Sequence, residues 1–185
     1  MIKHPTHRPP HIFQINKIYF LTGKTYKSIA YFNTPNKKKL LIKTINIAAK
    51  KFSINIFAWV ILDNHYHLLF SMRENNLLKF AKNIHTNSSR LLKQYWRELS
   101  LATPNITIWY QYFDRIIRSE KDFWTRFNYI HNNPIKHNYI KNAGRLSEYK
   151  FSSYNQWIAK NGEEWMLSYF SKYPVIDFSF EEISE

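Results

Sequence analysis

The alternation of apolar and polar positions divides the chain into a small set of elements. Ile18-Tyr19-Phe20-Leu21-Thr22 is β-branched and aromatic and predicts a strand. Ser28 to Phe32 predicts a second short strand, paired with the first across a turn at Gly23. Pro35-Asn36 opens a helix in which Leu41, Ile45, Ala48 and Phe52 recur at helical spacing, with Lys37, Lys39, Lys43 and Lys50 on the other side. Ile54 to Leu62 and His65 to Met72 read as strands joined by the turn dipeptide Asp63-Asn64, an antiparallel hairpin. A long helix is predicted from about Glu74 to Leu99. Leu77, Phe80, Ile84, Leu91 and Tyr95 mark its buried side, and Lys82, Arg90, Lys93 and Arg97 form a second, basic stripe. Thr103-Pro104-Asn105 breaks the chain, and Ile106 to Ile117 predicts one more strand. Ser119, with Asp122 three residues on, caps a helix expected to end at Asn133, because the residue before Pro134 avoids helical geometry.

The resulting order, β-(β)-α-β-β-α-β-α, fits an α+β fold: an antiparallel sheet with helices packed mainly on one face. Residues 1–16, rich in Pro and His, read as an arm, residues 17–145 as one domain, and residues 146–185 as an extension packed on or beside it. A short helix is expected over 163–172.

Composition narrows the partner. Lys and Arg number 27 against 13 Asp and Glu, a net charge of +14, which draws a polyanion and points to nucleic acid. No cysteine is present, which excludes disulfides, thiolate metal sites and cysteine nucleophiles. The longest apolar run, Ile56 to Leu62, is far short of the ~20 residues of a membrane span. Met1 to Pro10 lacks the apolar stretch of a signal peptide, so the expectation is a cytoplasmic, nucleoid-associated protein.

Two segments carry candidate chemistry. In Asn64-His65-Tyr66-His67-Leu68-Leu69-Phe70 the strand period puts His65 and His67 on one face, where two imidazoles can share a metal ion. The other reading is a pair of surface or cross-strand histidines. In the helix after Ser119, Phe123, Phe127 and Ile130 form a buried stripe beside a polar one of Asp122, Arg126, Tyr129 and Asn133. Tyr129 is there either a boundary tyrosine that packs its ring or a reactive one. A tyrosine hydroxyl, with a pKa near about 10, is a poor nucleophile without help. A divalent ion held by two histidines and an amide oxygen would bind and polarise a phosphodiester, and tyrosine attack on phosphorus would store the bond for later rejoining without ATP.

These segments resemble known ones. Asn64-His65-Tyr66-His67-Leu68-Leu69 resembles the HUH motif of single-tyrosine transposases, with Tyr66 at the bulky apolar position. Tyr129-Ile130-His131-Asn132-Asn133-Pro134-Ile135-Lys136 resembles the Y-I-x-x-N-P-V-K block of REP-associated tyrosine transposases. Arg8 to Ile12, Tyr112 to Arg118 and Phe151 to Tyr154 resemble further segments of that family, so the likeness spans about residues 8–157. Relaxases place the tyrosine before the histidines; here it follows them.

The resemblance implies a ferredoxin-like fold with Tyr129 as nucleophile and with His65, His67 and Asn133 holding a divalent metal, Mg or Mn. It implies single-stranded or hairpin DNA as substrate, a 5′-phosphotyrosine intermediate, and a monomer or homodimer. Lys82, Arg90, Lys93, Arg97, Arg115, Arg118 and Lys136 are the expected DNA contacts, with Trp109, Tyr110 and Tyr112 as rings for stacking on bases. The family often has glycine soon after its N-P-V-K block; here the run is His137-Asn138-Tyr139, and Asn138 is expected to take the glycine's place in a turn. A hairpin-binding module without catalysis, and a metal-dependent nuclease using water, are the competing expectations.

Overall fold

The computed structural model describes residues 14, 16–99, 101 and 106–178. Four strands, β1 (Ile18–Thr25), β2 (Asn55–Ile61), β3 (His65–Ser71) and β4 (Trp109–Ile116), form one sheet. Its order is β2-β3-β1-β4 and every neighbouring pair is antiparallel. Two long helices make the crossovers: α1 (Pro35–Lys51) joins β1 to β2, and α2 (Leu77–Glu98) joins β3 to β4. Each crossover passes over a strand inserted between its two ends, which is the split β-α-β arrangement of a ferredoxin-like sheet. Then come α3 (Glu120–Lys136), a 3-10 turn at Ala143–Glu148, α4 (Tyr154–Asn161) and α5 (Glu163–Lys172). Among the described residues no helix is long and apolar enough to cross a membrane.

Strand periodicity divides the interior in two. Tyr66, Leu68 and Phe70 of β3, with Tyr19 and Leu21 of β1, enter the core beneath α1 and α2. Leu69, Phe20, Ala58 and Val60 enter a second core with Phe127 and Ile130 of α3, Tyr154 of α4 and Met166 of α5. The α+β class and the antiparallel sheet are as expected. The helices, expected mainly on one face, are shared between both, because the strands are apolar on both sides. Residues 151–153 pair with the outer edge of β2, where the Ile61 N–H donates to the Phe151 carbonyl at 2.9 Å and the Ser153 N–H to the Trp59 carbonyl at 2.9 Å.

Four local expectations are corrected. No strand forms over Ser28 to Phe32; β1 instead continues through Gly23 to Thr25, with a shift in register against β4 between these two residues, and the chain turns at Lys27 and Ser28, whose φ angles are 52° and 56°. Gly23 is needed for space rather than for a turn: a Cβ there would overlap the Tyr66 ring, 2.5 Å from its Cζ. Helix α2 begins at Leu77, not Glu74, and its buried stripe continues through Ser88, Leu92 and Trp96 rather than Leu91 and Tyr95. Ser88 sets this phase, since its hydroxyl bonds the Ile84 carbonyl at 2.6 Å and accepts the Trp109 indole N–H at 2.9 Å. Helix α3 continues past Pro134 to Lys136. Proline removes only its own donor, and the next turn still closes through the His137 N–H on the Asn133 carbonyl at 3.0 Å. Asn138 does take the left-handed turn conformation, with φ 59°. The arm through Ile12, the break at Thr103-Pro104-Asn105 and the acidic end after Phe178 lie outside the described residues.

The close approach at Gly23 is open to test. Gly23→Ala should cost about 1–3 kcal/mol of stability, as overpacking in a closed core does. A urea midpoint equal to that of the unaltered chain would show that the Tyr66 ring yields without cost.

Candidate active site

The strand period that buries Tyr66 turns His65 and His67 to the opposite face, beneath α3. His65 is 8 % exposed and His67 1 %. Their rings lie 5.0 Å apart edge to face. Each Nδ1 is engaged: that of His67 with the Thr22 hydroxyl across the sheet at 2.8 Å, and that of His65 with Asn64 Oδ1 at 2.7 Å. The Asn64 amide nitrogen donates to the Ser28 carbonyl at 3.1 Å, which fixes its oxygen towards His65. An amide oxygen only accepts, so His65 carries its proton on Nδ1 and its lone pair on Nε2.

Burial, and next the neighbouring His137 ring 4.8 Å away, push His65 down to about 3; Asn133 opposes them, and Lys24 and Lys136 add smaller pushes downward. Burial and then His65 hold His67 well below its ordinary value. Both imidazoles are therefore neutral near pH 7, the form that binds metals.

Helix α3 brings the second half. Tyr129 is 2 % exposed and Asn133 fully buried. The Tyr129 ring meets His67 edge-on at 5.3 Å, Phe20 at 6.1 Å and Phe178 at 5.2 Å. Lys136, two turns along, donates its ammonium to the Tyr129 hydroxyl at 3.3 Å and pairs with Asp177 at 2.6 Å. Partial burial works against that charge, but Asp177 and the Tyr129 hydroxyl outweigh it, so Lys136 sits above its ordinary value and stays charged. The Asn133 side-chain nitrogen donates to the Tyr129 carbonyl at 2.8 Å. Its Oδ1 is buried with no hydrogen-bond partner among the described residues, close enough to His65 and His67 to favour their protonated forms.

Among the described residues no group of three or more His, Cys, Asp and Glu could hold a metal ion. The set available here is two neutral imidazoles and one orphaned amide oxygen. An unsatisfied buried carbonyl is costly in a dry site, and a cation is one partner that would satisfy it. Imidazole nitrogen and amide oxygen suit a divalent ion whose remaining positions are filled by water or phosphate oxygens. The residues present thus fit such an ion.

The expected DNA contacts fall into two groups. Lys136 touches the tyrosine, and Arg115 faces the same side of the sheet, since it pairs with Phe20. Arg118 is exposed at the start of α3, where its N–H bonds Asp122 at 3.1 Å. The α2 stripe lies in the helix layer behind the sheet, away from the tyrosine; Lys82, Arg90 and Arg97 are exposed and Lys93 partly so. Of the three expected stacking rings, Trp109 is buried against His85 at 4.5 Å and Tyr112 packs in the same core; Tyr110 is 64 % exposed.

The sequence reading missed several members of the site. Thr22 is placed by strand register, for which a single chain carries no signal. Arg126 lies in the polar stripe of Tyr129 and Asn133, a signal that was available. Its guanidinium is buried against the Phe20 ring at 5.0 Å and the Phe178 ring at 4.0 Å, and it pairs with Asp122 at 2.8 Å. Asp177 and Phe178 reach the tyrosine from the far end of the chain.

Comparison with known proteins identifies the family and the fold. Residues 20–133 match the family described as transposase, IS200 like. A REP-associated tyrosine transposase of Escherichia coli (strain K12) is 27% identical over 112 residues, which are 60% of this chain and 59% of that protein. The chain therefore aligns with little more than half the length of that curated relative. A solved REP-associated tyrosine transposase bound to a REP hairpin superposes with a TM-score of 0.64 at 21% identity, over 83% of this chain and 86% of that one. At that identity the likeness speaks for the fold.

The buried side of α3 gives a pH test. His131 is fully buried, its Nε2 2.8 Å from the Ser153 hydroxyl, and burial pushes its pKa from 6.5 down to about 3 against a weaker pull from the Phe127 carbonyl. Between those values the unfolded chain binds more protons than the folded one, so stability is lost as pH falls through that window. The loss at about pH 5 should be about 2 kcal/mol from His131 alone. Urea midpoints at about pH 7.5 and about pH 5 measure it. His131→Gln should flatten the dependence, and an equal slope in that variant would contradict the assignment.

Proposed function

The chain belongs to the IS200-like transposase family, and from that membership we propose that it breaks and rejoins single-stranded DNA beside a hairpin through a covalent bond to Tyr129. One observation carries the reading. The hydroxyl-bearing ring of Tyr129, on α3, is packed against His67, on β3, with the orphaned oxygen of Asn133 one helical turn away. A tyrosine that served only to fill the core would not need two neutral imidazoles and an amide oxygen beside it.

A divalent ion, Mg or Mn, held by His65, His67 and Asn133 Oδ1 would polarise the phosphate and offset its growing negative charge. The chain's own groups do the rest. The Tyr129 oxygen attacks phosphorus; the O–P bond forms as the bond to the 3′ oxygen breaks, and the proton given up by tyrosine is balanced by the one taken by that 3′ oxygen. The product is a 5′-phosphotyrosine and a free 3′ hydroxyl. The reverse attack, by this or another 3′ hydroxyl, rejoins a strand with no energy source. Lys136, hydrogen-bonded to the Tyr129 oxygen, favours the phenolate as it forms and can follow the charge onto the phosphate. Thr22 and Asn64 hold the two imidazoles in orientation. Phe178 covers the Tyr129 ring and Asp177 occupies Lys136, so this segment must give way before a phosphate can approach.

The basic layer behind the sheet suits a duplex. Six lysines of α1 and five cations of α2 are accompanied by a single acidic residue, Glu98. Lys39, Lys43 and Lys50 of α1 are exposed, as are Lys82, Arg90 and Arg97 of α2. We place the stem of the hairpin on this layer and its unpaired flank on the tyrosine side, in line with the hairpin carried by the structural relative.

Incubation with labelled hairpin oligonucleotides and Mg or Mn should give a covalent protein–DNA band on denaturing gels. The band should vanish in Tyr129→Phe and weaken at least tenfold in His65→Ala. Cutting that persists in Tyr129→Phe would favour a nuclease that uses water; hairpin binding with no band under either metal would leave a recognition module. Replacing Lys82, Arg90 and Arg97 by Gln should lower the slope of log affinity against log salt by about 0.9 for each phosphate left without its cation. An unchanged slope would remove the stem from this layer.

A further inference from the structure

A lysine ammonium lies inside the protein where the active-site chemistry does not use it. The Lys38 side chain, on α1, is 7 % exposed. Its Nζ lies 5.0 Å from the centre of the Tyr139 ring, 5.4 Å from Phe151 and 5.7 Å from Tyr149, and it meets the Asp63 carboxylate at 2.5 Å. Three rings and a carboxylate thus enclose one cation. All three rings come from the chain after α3, and Asp63 comes from the turn between β2 and β3.

Each end of this cage leads to one half of the proposed site. At the turn, the Asp63 N–H donates to the Tyr139 hydroxyl at 3.2 Å, the Tyr149 hydroxyl donates to the Ile61 carbonyl at 2.7 Å, and the Asp63 carbonyl accepts the Phe32 N–H at 2.8 Å. The next residue, Asn64, is the one whose oxygen orients His65. At the other end, Tyr139 is fixed to the last turn of α3, its N–H on the Pro134 carbonyl at 2.8 Å, and Pro134 follows Asn133 directly. The strand that bears the histidines and the helix that bears Tyr129 and Asn133 are therefore joined through one charged cage.

Stability alone does not account for the cage. Taking an ammonium and a carboxylate out of water costs free energy that their attraction and the ring faces only partly return, and apolar residues of the same volume serve packing as well or better. A cage of this kind supplies direction: the joint attraction of one ammonium to a carboxylate and three ring faces favours the arrangement in which all four meet it. We infer that Lys38 and Tyr139 are positioning residues for His65, acting through the Asp63-Asn64 turn to set its ring and tautomer against Asn133. The inference rests on the reading of His65 as a metal ligand, and the test separates the two.

The test compares the full chain with Lys38→Met and with Tyr139→Phe, which removes only a hydroxyl. Two quantities are read: the nitrogen spectrum of the His65 imidazole in metal-free protein, and the affinity for Mn(II) by electron paramagnetic resonance, with His65→Ala in parallel. The unaltered chain should show a single His65 tautomer protonated on Nδ1. Both variants should show mixed or exchange-broadened signals from His65, unchanged signals from His131, and Mn(II) affinity lowered about tenfold, the usual effect of disturbing the groups that orient a ligand. Folded variants with the His65 spectrum and Mn(II) affinity of the unaltered chain, within about twofold, would overturn the inference and leave the cage to packing. An unaltered chain that binds no Mn(II) would overturn the metal reading instead, while the His65 spectra would still decide for or against the cage. Should Lys38→Met fail to fold, the double variant Lys38→Met/Asp63→Asn, which removes both charges together, takes its place beside Tyr139→Phe.

Discussion

Everything at the proposed site depends on how β3 can be buried. A strand sends alternate side chains to opposite faces. Tyr66, Leu68 and Phe70 are claimed by the core under α1 and α2, so His65, His67 and Leu69 must face the other way. Two histidines on a sheet face left to water would titrate near neutrality and hydrogen-bond at random. Covered by α3, they lose water, remain neutral and keep only the partners the protein provides. The helix that covers them is the one that carries Tyr129 and Asn133.

That constraint also explains the two-sided layout. The sheet is apolar on both faces because each must meet a helix layer. The layer behind, α1 and α2, has no catalytic group to hold and its outer side is free to be basic. The layer in front, α3 to α5, is tied down by aromatic packing among Trp124, Phe127, Trp157, Trp165 and Tyr169. On the proposed reading the larger basic surface lies behind the sheet, while Lys136 and Arg115 remain on the side of Tyr129.

The polar groups around the site are unusually committed. Thr22, Asn64 and Ser28 fix the imidazoles, and Lys136 is shared between Tyr129 and Asp177. Asn133 Oδ1 is a buried acceptor with no hydrogen bond among the described residues, as is Asn128 Oδ1 on the same helix; Asn133 Oδ1 is the one that lies beside the two imidazoles. Interiors rarely leave such an atom unsatisfied, and where they do the cause is commonly function. The lysine cage at the β2–β3 turn follows the same rule of direction: it fixes angles rather than enlarging the packed surface.

The sequence by itself determined the element order apart from the strand expected at Ser28 to Phe32, the antiparallel hairpin that displays His65 and His67, and the helical spacing that sets Tyr129 one turn from Asn133. These follow from local periods of two and of about 3.6, which are written in consecutive residues. It could not show that Gly23 continues a strand, because the reason is the Tyr66 ring arriving from a strand far along the chain. Nor could it show that Pro134 lies within a helix, because a helix anchored on both sides tolerates one missing donor. Thr22, Asp177 and Phe178 reach the site through register and chain return, and Lys38 is buried by rings from three later positions. Sequence spacing fixes which groups share a face; only the packing of one face on another decides which groups meet, because that choice is made by contacts between residues far apart in the chain.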